Sequence, residues 1–237
     1  MNRLKSTEFY SMKGFDQGCY VKNAIKNKKI VFFIVTAFAV LIMNFGCGLF
    51  WELPETDDDV IVDDTASTPY IGMSYQGGVV FYILQSGDPG YVPGETHGLI
   101  AATGDQSAGI QWYDYESCPK TNARGTALGT GMSNTITIVD IQGEGSYAAR
   151  LCYDYINPDR GTGVYSDWYL PSRDELDKLQ LNRSAVDGLA CEFYWSSTEY
   201  FHDSGITFAS CQLFFTGTQE YYKKYESSLR VRAVRSF

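Results

Sequence analysis

Histidine is nearly absent, with 2 in 237 residues, and neither His97 nor His202 has a Ser or Cys at the spacing of a known catalytic motif. No Cys-x-x-Cys occurs, and neither His stands at ligand spacing from another, so a zinc site is not expected. Gly-x-Ser-x-Gly is missing too. Positive charge is scarce: 19 Lys and Arg face 28 Asp and Glu, for a formal charge of −9 and a pI near 4.7. That balance argues against nucleic acid as a partner. What is abundant is Tyr (18), Phe (14) and Gly (23), and that many glycines point to many turns, as in a strand-and-loop domain. A pair of catalytic carboxylates would find ample acidic residues, but most of these sit in turns and in one acidic run. The expectation is a chain that is not an enzyme and needs no cofactor.

Residues 26–51 set the compartment. Lys26, Lys28 and Lys29 precede an apolar run from Ile30 to Met43, a positive region followed by a hydrophobic stretch of signal-peptide length. Asn44-Phe-Gly-Cys47 resembles the bacterial lipoprotein box, in which a small residue precedes an acylated Cys; Gly46 and Cys47 fit, while Asn44 and Phe45 depart from it. A second reading keeps Ile30–Trp51 as an uncleaved anchor helix, since its length just spans a bilayer. Either way the lysines stay inside, and the rest of the chain lies beyond the membrane. Residues 1–25 carry no signal character and read as a cytoplasmic tail or as residues upstream of the true start. Residues 1–46 hold seven of the 19 basic and two of the 28 acidic residues, leaving 12 against 26 and a charge of −14 outside. Residues 48–69, rich in Asp, Pro, Ser and Thr, read as an extended acidic tether. The expected location is the cell envelope, lipid-anchored through Cys47 at the outer membrane or cell surface.

From residue 70 to 237 the pattern becomes strands, turns and a few helices. Gly77–Leu84 and His97–Ala102 read as strands, with Ile110–Tyr113 as a short extended piece. Ser133 reads as the cap of a helix carrying Ile136 and Val139, and Ser146 as the cap of one with Ala149, Cys152, Tyr153 and Ile156 on one face. The firmest local signal is Asp167–Leu179. Ser172 and Glu175 form a capping box, Asp174 and Glu175 suit the positive helix start, and Leu176 and Leu179 share a face, with Val186 further along. Pro171 delivers Trp168-Tyr169-Leu170 extended. The tail holds strands at Tyr194–Thr198, Thr207–Phe215 and Leu229–Arg235. In the last, Leu229, Val231 and Ala233 point inward and Arg230 and Arg232 outward. A front strand is expected to pair with the last one. Front strands, central helices and tail strands make an α+β domain, and Trp112, Trp168 and Trp195 belong to its core.

Five segments, HGLIAATGDQSAGIQW, GTALGTGMSNT, DWYLPSRDELDKL, YWSSTEY and VRAVRSF, occur in an order that resembles the Lcl C-terminal domain family. The Leu-Pro-Ser-x-x-Glu piece is also similar to the sulfatase-modifying formylglycine-generating fold, a relative of C-type lectins. The resemblance implies a C-type-lectin-like domain with an antiparallel sheet and two or three helices. It implies binding of sugars or matrix polymers for some members, and no enzyme. The Glu-Pro-Asn and Trp-Asn-Asp motifs with which such lectins hold calcium do not occur.

Four Cys stand beyond the signal region: Cys118, Cys152, Cys191 and Cys211. An even count in an exported domain suggests two disulfides, with three connectivities open. Nearness favours Cys118–Cys152 and Cys191–Cys211; four buried thiols are the alternative. Gly143-Glu-Gly-Ser-Tyr-Ala148 matches a dinucleotide fingerprint in letters but lacks a βαβ context. Asn157–Gly161 has oxygen groups at alternate positions, as calcium loops do, but reads as a plain turn. The candidate ligand residues are Tyr200, His202 and Asp203 with Tyr221, Tyr222 and Tyr225, expected in loops between tail strands, where rigid aromatics stack on sugar rings or a protein partner. The function expected is an envelope lipoprotein presenting a binding domain for a glycan or surface polymer. A structural or assembly lipoprotein without a small ligand is the rival, and a secreted hydrolase the third choice.

Overall fold

In a computed structural model, residues 68–114, 120–201 and 207–237 are described. They belong to the compact unit Ala66–Phe237. The expected signal or anchor segment, the tether up to residue 67, Cys47 and Cys118, and His202 and Asp203 lie outside the described residues. Among the described residues no helix is long and apolar enough to cross a membrane.

The architecture is α+β, with two antiparallel sheets and three helices. Strands β1 (Ser74–Tyr75) and β2 (Gly78–Ile83) are joined by Gln76 and Gly77, with φ of 43° and 87°. Two consecutive positive φ values make the tight hairpin turn that suits strand twist, and glycine supplies one of them at no steric cost. Strand β3 (Gly98–Ala101) pairs with β2 on one side and with β7 (Val234–Ser236) on the other. The expected pairing of a front strand with the last one is therefore present. The second sheet runs β4 (Phe193–Phe201), β5 (Thr207–Leu213), β6 (Gln219–Lys223).

Between the sheets in sequence come α1 (Gly131–Gln142), α2 (Ala148–Tyr153) and α3 (Arg173–Leu181). Helix α3 begins as its residues dictate. The Ser172 side chain accepts from the Glu175 N–H, and Glu175 Oε2 accepts from the Ser172 N–H at 2.7 Å. Leu176 and Leu179 are buried, and Val186 joins the same cluster from beyond the 3-10 turn Arg183–Ala185 that follows the helix. The other two helices differ from expectation. Thr130, not Ser133, precedes α1, and its hidden face is Asn134, Thr135, Ile138, Val139 and Gln142, while Ile136 is exposed. Helix α2 starts after Tyr147 rather than Ser146, and Tyr153 and Ile156 face outward, leaving Ala149 and Cys152 inside.

The three tryptophans among the described residues are fully buried, and each indole N–H is spoken for. Trp112 Nε1 donates to the Ser196 carbonyl at 2.8 Å, Trp195 Nε1 to that of Ile110 at 2.7 Å, and Trp168 Nε1 to that of Tyr165 at 3.0 Å. Truncating any of them should cost about 3–5 kcal/mol, the usual loss for a large core aromatic. Arg232 corrects the simple alternation expected of the tail. Residues 230–233 make only isolated bridges, at Arg230 and Val231, and the Arg232 guanidinium turns inward. It meets Asp105 at 2.7 Å, the Ala102 carbonyl at 2.7 Å and the Gly188 carbonyl at 2.8 Å. Arg230 reaches the same Asp105 at 3.1 Å, so one carboxylate answers two guanidinium groups.

Neither favoured disulfide forms. Cys152 and Cys211 are free, buried thiols. The register explains the second case: Trp195 faces Cys211, which puts Cys191 four residues, or about 13 Å, out of step with it. A disulfide needs Cα atoms within roughly 7 Å. Cys191 is itself disulfide-bonded, to neither of these two thiols. Burial pushes the Cys211 thiol up to about 12 and the Cys152 thiol well above its ordinary value.

Candidate functional site

The tail aromatics expected in loops stand largely on strands. Tyr200 is on β4, and Tyr221 and Tyr222 are on β6. Strand geometry then sorts them, because successive side chains point to opposite faces. Glu199 pairs with Ala209, and Ala209 with Tyr222, which places these three on the inner face. Tyr222 accordingly packs on Phe193, ring centroids 5.0 Å apart, and belongs to the edge of the core. Tyr200 and Tyr221 take the outer face, where their rings stack at 4.2 Å and 27°. Tyr225 lies exposed in the turn after β6, with Lys223 Nζ 5.6 Å from its ring. Of the four expected ligand residues that are described, Tyr200 and Tyr221 are therefore brought together.

Beside that stack opens a cleft of about 380 Å³. Tyr200, Phe201, Tyr221, Arg124, Thr126 and Arg173 are among the residues that line it. Arg173 is the first residue of α3, fixed there because Thr198 Oγ1 accepts its backbone N–H at 3.0 Å and donates to the Gly125 carbonyl at 2.8 Å. One threonine thus joins β4, α3 and the loop before α1. The Arg173 side chain meets Asp174 at 3.0 Å. Burial works against its charge, but Asp174 and the neighbouring Tyr221 prevail and raise its pKa. Phe201 has two cations close to its ring: the Arg124 guanidinium is 4.2 Å and Lys120 Nζ 4.5 Å from its centre. Cation–π contacts at exposed sites contribute about 0.5–1 kcal/mol each.

The loop that carries Arg124 is anchored from below. Glu199 is fully buried; its oxygens accept the Thr121 N–H at 2.9 Å and the Asn122 N–H at 2.6 Å, and Lys224 Nζ donates to Oε1. The Glu199 N–H in turn donates to the Ala123 carbonyl at 2.7 Å. Further along, Glu175 pins the end of the same loop by accepting the Gly129 N–H at 2.8 Å, and burial raises its pKa against the pull of these backbone donors. The result is a stacked tyrosine pair held by the sheet, with guanidinium groups held by a loop and a helix start lining the same cleft. Such a site can stack on a flat or ring-shaped group and hydrogen-bond its oxygens.

A second, smaller cavity of about 250 Å³ is lined mainly by Leu84, Pro89, Leu99, Leu128 and Phe237. His97 stands at its rim, with Nε2 2.7 Å from Glu95 and Nδ1 3.2 Å from the Phe237 carbonyl, contacts that raise its pKa. Among the described residues no group of three His, Cys, Asp or Glu side chains gathers where a metal ion could sit. Arg124 and Arg173 went unremarked in the sequence because they come from segments far from the tail, whereas Phe201 belongs to the Tyr200 run. Only the Tyr200 and Tyr221 runs carried a local signal. No protein-family model matches the chain, and no curated protein matches it.

Proposed function

We propose that this chain displays a C-type-lectin-like binding domain from the bacterial cell envelope, tethered through Cys47, and that the Tyr200–Tyr221 cleft takes a glycan or surface polymer. The observation that carries the reading is the stacked tyrosine pair at 4.2 Å, exposed beside a guanidinium. Two exposed, pre-stacked rings offer a flat apolar face at small conformational cost, and their hydroxyls reach the oxygens of a sugar. Arg173 presents a fixed fork of donors to hydroxyl or carboxylate oxygens. The pairing of β3 with β7 supports the lectin-like reading, since it brings the front of the domain to its end. The commitment of Glu199, which lines the cleft, to Lys224 and two backbone amides supports a binding role for the cleft over a hydrolytic one.

A glycan array probed with the full-length chain and with the Tyr200→Ala and Tyr221→Ala variants tests this. The expected result is binding to a restricted set of glycans by the parent, lost or much weakened in both variants. Absence of binding by the parent to any glycan supports the structural or assembly lipoprotein instead. Cys47→Ala should abolish incorporation of a palmitate analogue; unchanged labelling would rule out acylation at that residue.

A further inference from the structure

We propose that Lys224 and Glu199 condense to a side-chain amide, a covalent cross-link between β4 and the chain leaving β6. The two side chains are completely buried and in direct contact, Nζ against Oε1. Nζ also lies 4.5 Å from the Trp112 ring and 5.7 Å from that of Tyr113, so the pair sits in an aromatic, water-excluding pocket. Two charges taken out of water in this way carry a desolvation cost that their mutual attraction does not reliably repay. Condensation removes both charges at once.

The chemistry balances with what is present. The Lys224 nitrogen attacks Glu199 Cδ, a C–N bond forms and one C–O bond breaks. Of the three ammonium hydrogens one remains on the amide, and two leave with the departing oxygen as water. The +1 and −1 charges cancel, nothing is oxidised or reduced, and no co-reactant is needed. The negative oxygen of the tetrahedral intermediate has its donors in place, because the Thr121 and Asn122 N–H groups already point at the two Glu199 oxygens, at 2.9 and 2.6 Å. Pre-aimed backbone donors of this kind stabilise developing oxyanions in acyl transfer. Fixed proximity supplies the rest, since well-oriented intramolecular groups react at effective concentrations of about 10⁵ M or more.

The link would tie together the two strands flanking β5, one residue from Tyr200 and three from Tyr221. It does not depend on what the cleft binds. The test is peptide mapping of the full-length parent chain, denatured, reduced, treated with an amine-labelling reagent and digested. The expected product is one branched peptide joining the segments that contain Glu199 and Lys224, lighter by one water than the two separately. Lys224 should carry no label while its exposed neighbour Lys223 is labelled. Recovery of a labelled Lys224 in a linear peptide of the parent overturns the proposal, whatever the variants do. In Lys224→Arg and Glu199→Ala the branched peptide should be missing; its persistence in either would show that the link joins other residues and would equally overturn it.

Discussion

Replacing Ser172 by Ala removes one oxygen from a fully buried place, and the structure says what that oxygen does. Oγ accepts the Glu175 N–H at 3.3 Å and donates to the Ala127 carbonyl at 2.9 Å. Losing an N-cap costs about 0.5–2 kcal/mol. Leaving the Ala127 carbonyl unmatched adds about 1–3 kcal/mol, less whatever the loop recovers by relaxing. The two losses share one atom and overlap, so about 2–4 kcal/mol is expected in total. For a domain of this size that lowers Tm by roughly 5–15 °C. Urea unfolding followed by tryptophan fluorescence should show a lower midpoint at unchanged m. Combining Ser172→Ala with Glu175→Ala should cost less than the sum of the two, because Glu175 completes the same box through its 2.7 Å bond to the Ser172 N–H. A loss below about 0.5 kcal/mol for Ser172→Ala would refute the idea that this box organises α3 and the loop above it.

Gly131→Ala should destabilise by about 1–3 kcal/mol, as overpacking does. Its Cβ would stand 2.7 Å from the Tyr169 ring and 2.9 Å from the Ser172 nitrogen, as well as against Glu175 Oε2; calorimetry checks it. The Arg235 guanidinium, hydrogen-bonded at 2.7 and 2.8 Å, holds the Asp167 carboxyl below its ordinary value. A carboxyl lowered on folding contributes stability above its unfolded pKa of about 3.9, and loses it as pH falls through the folded value. Asp167→Asn should therefore flatten the acid limb of a stability–pH curve, modestly because the carboxylate is half exposed. Cys152 and Cys211, buried and with raised pKa values, should resist thiol reagents at pH 8 until the domain unfolds. Rapid modification of either in the native chain would contradict their placement.

What the sequence made legible was local. The start of α3 is written in residues three apart, and the strands of the front sheet are short apolar runs beside glycine turns. The inner face of α1 is hidden from any hydrophobic pattern because it is partly polar. Asn134 trades hydrogen bonds with Gly125 at 2.7 and 3.0 Å, and Gln142 reaches the Trp112 carbonyl at 3.2 Å. The periodicity that singled out Ile136 followed the more apolar letter onto the exposed side. Arg232 misleads for the same reason: alternation assigns a charge to water unless a distant carboxylate, here Asp105, is known to be waiting. Strand β6 has exposed or half-exposed residues throughout, so Gln219–Lys223 carries no burial signal and read as a loop. The cleft was half visible. Its tyrosines announced themselves, whereas Arg124 and Arg173 reach it from segments that only the fold brings beside β4.

The measurement that bears most directly on the central claim is calorimetric titration of the parent, Tyr200→Ala, Tyr221→Ala and Tyr153→Ala with one glycan selected from the array. Tyr153 is equally exposed but stands on α2, outside the cleft. With roughly 0.5–1.5 kcal/mol from each stacked ring beyond its buried area, Kd should rise severalfold or more in the first two variants and stay unchanged in the third. Equal affinity in all four proteins would contradict the assignment of the Tyr200–Tyr221 cleft as the binding site.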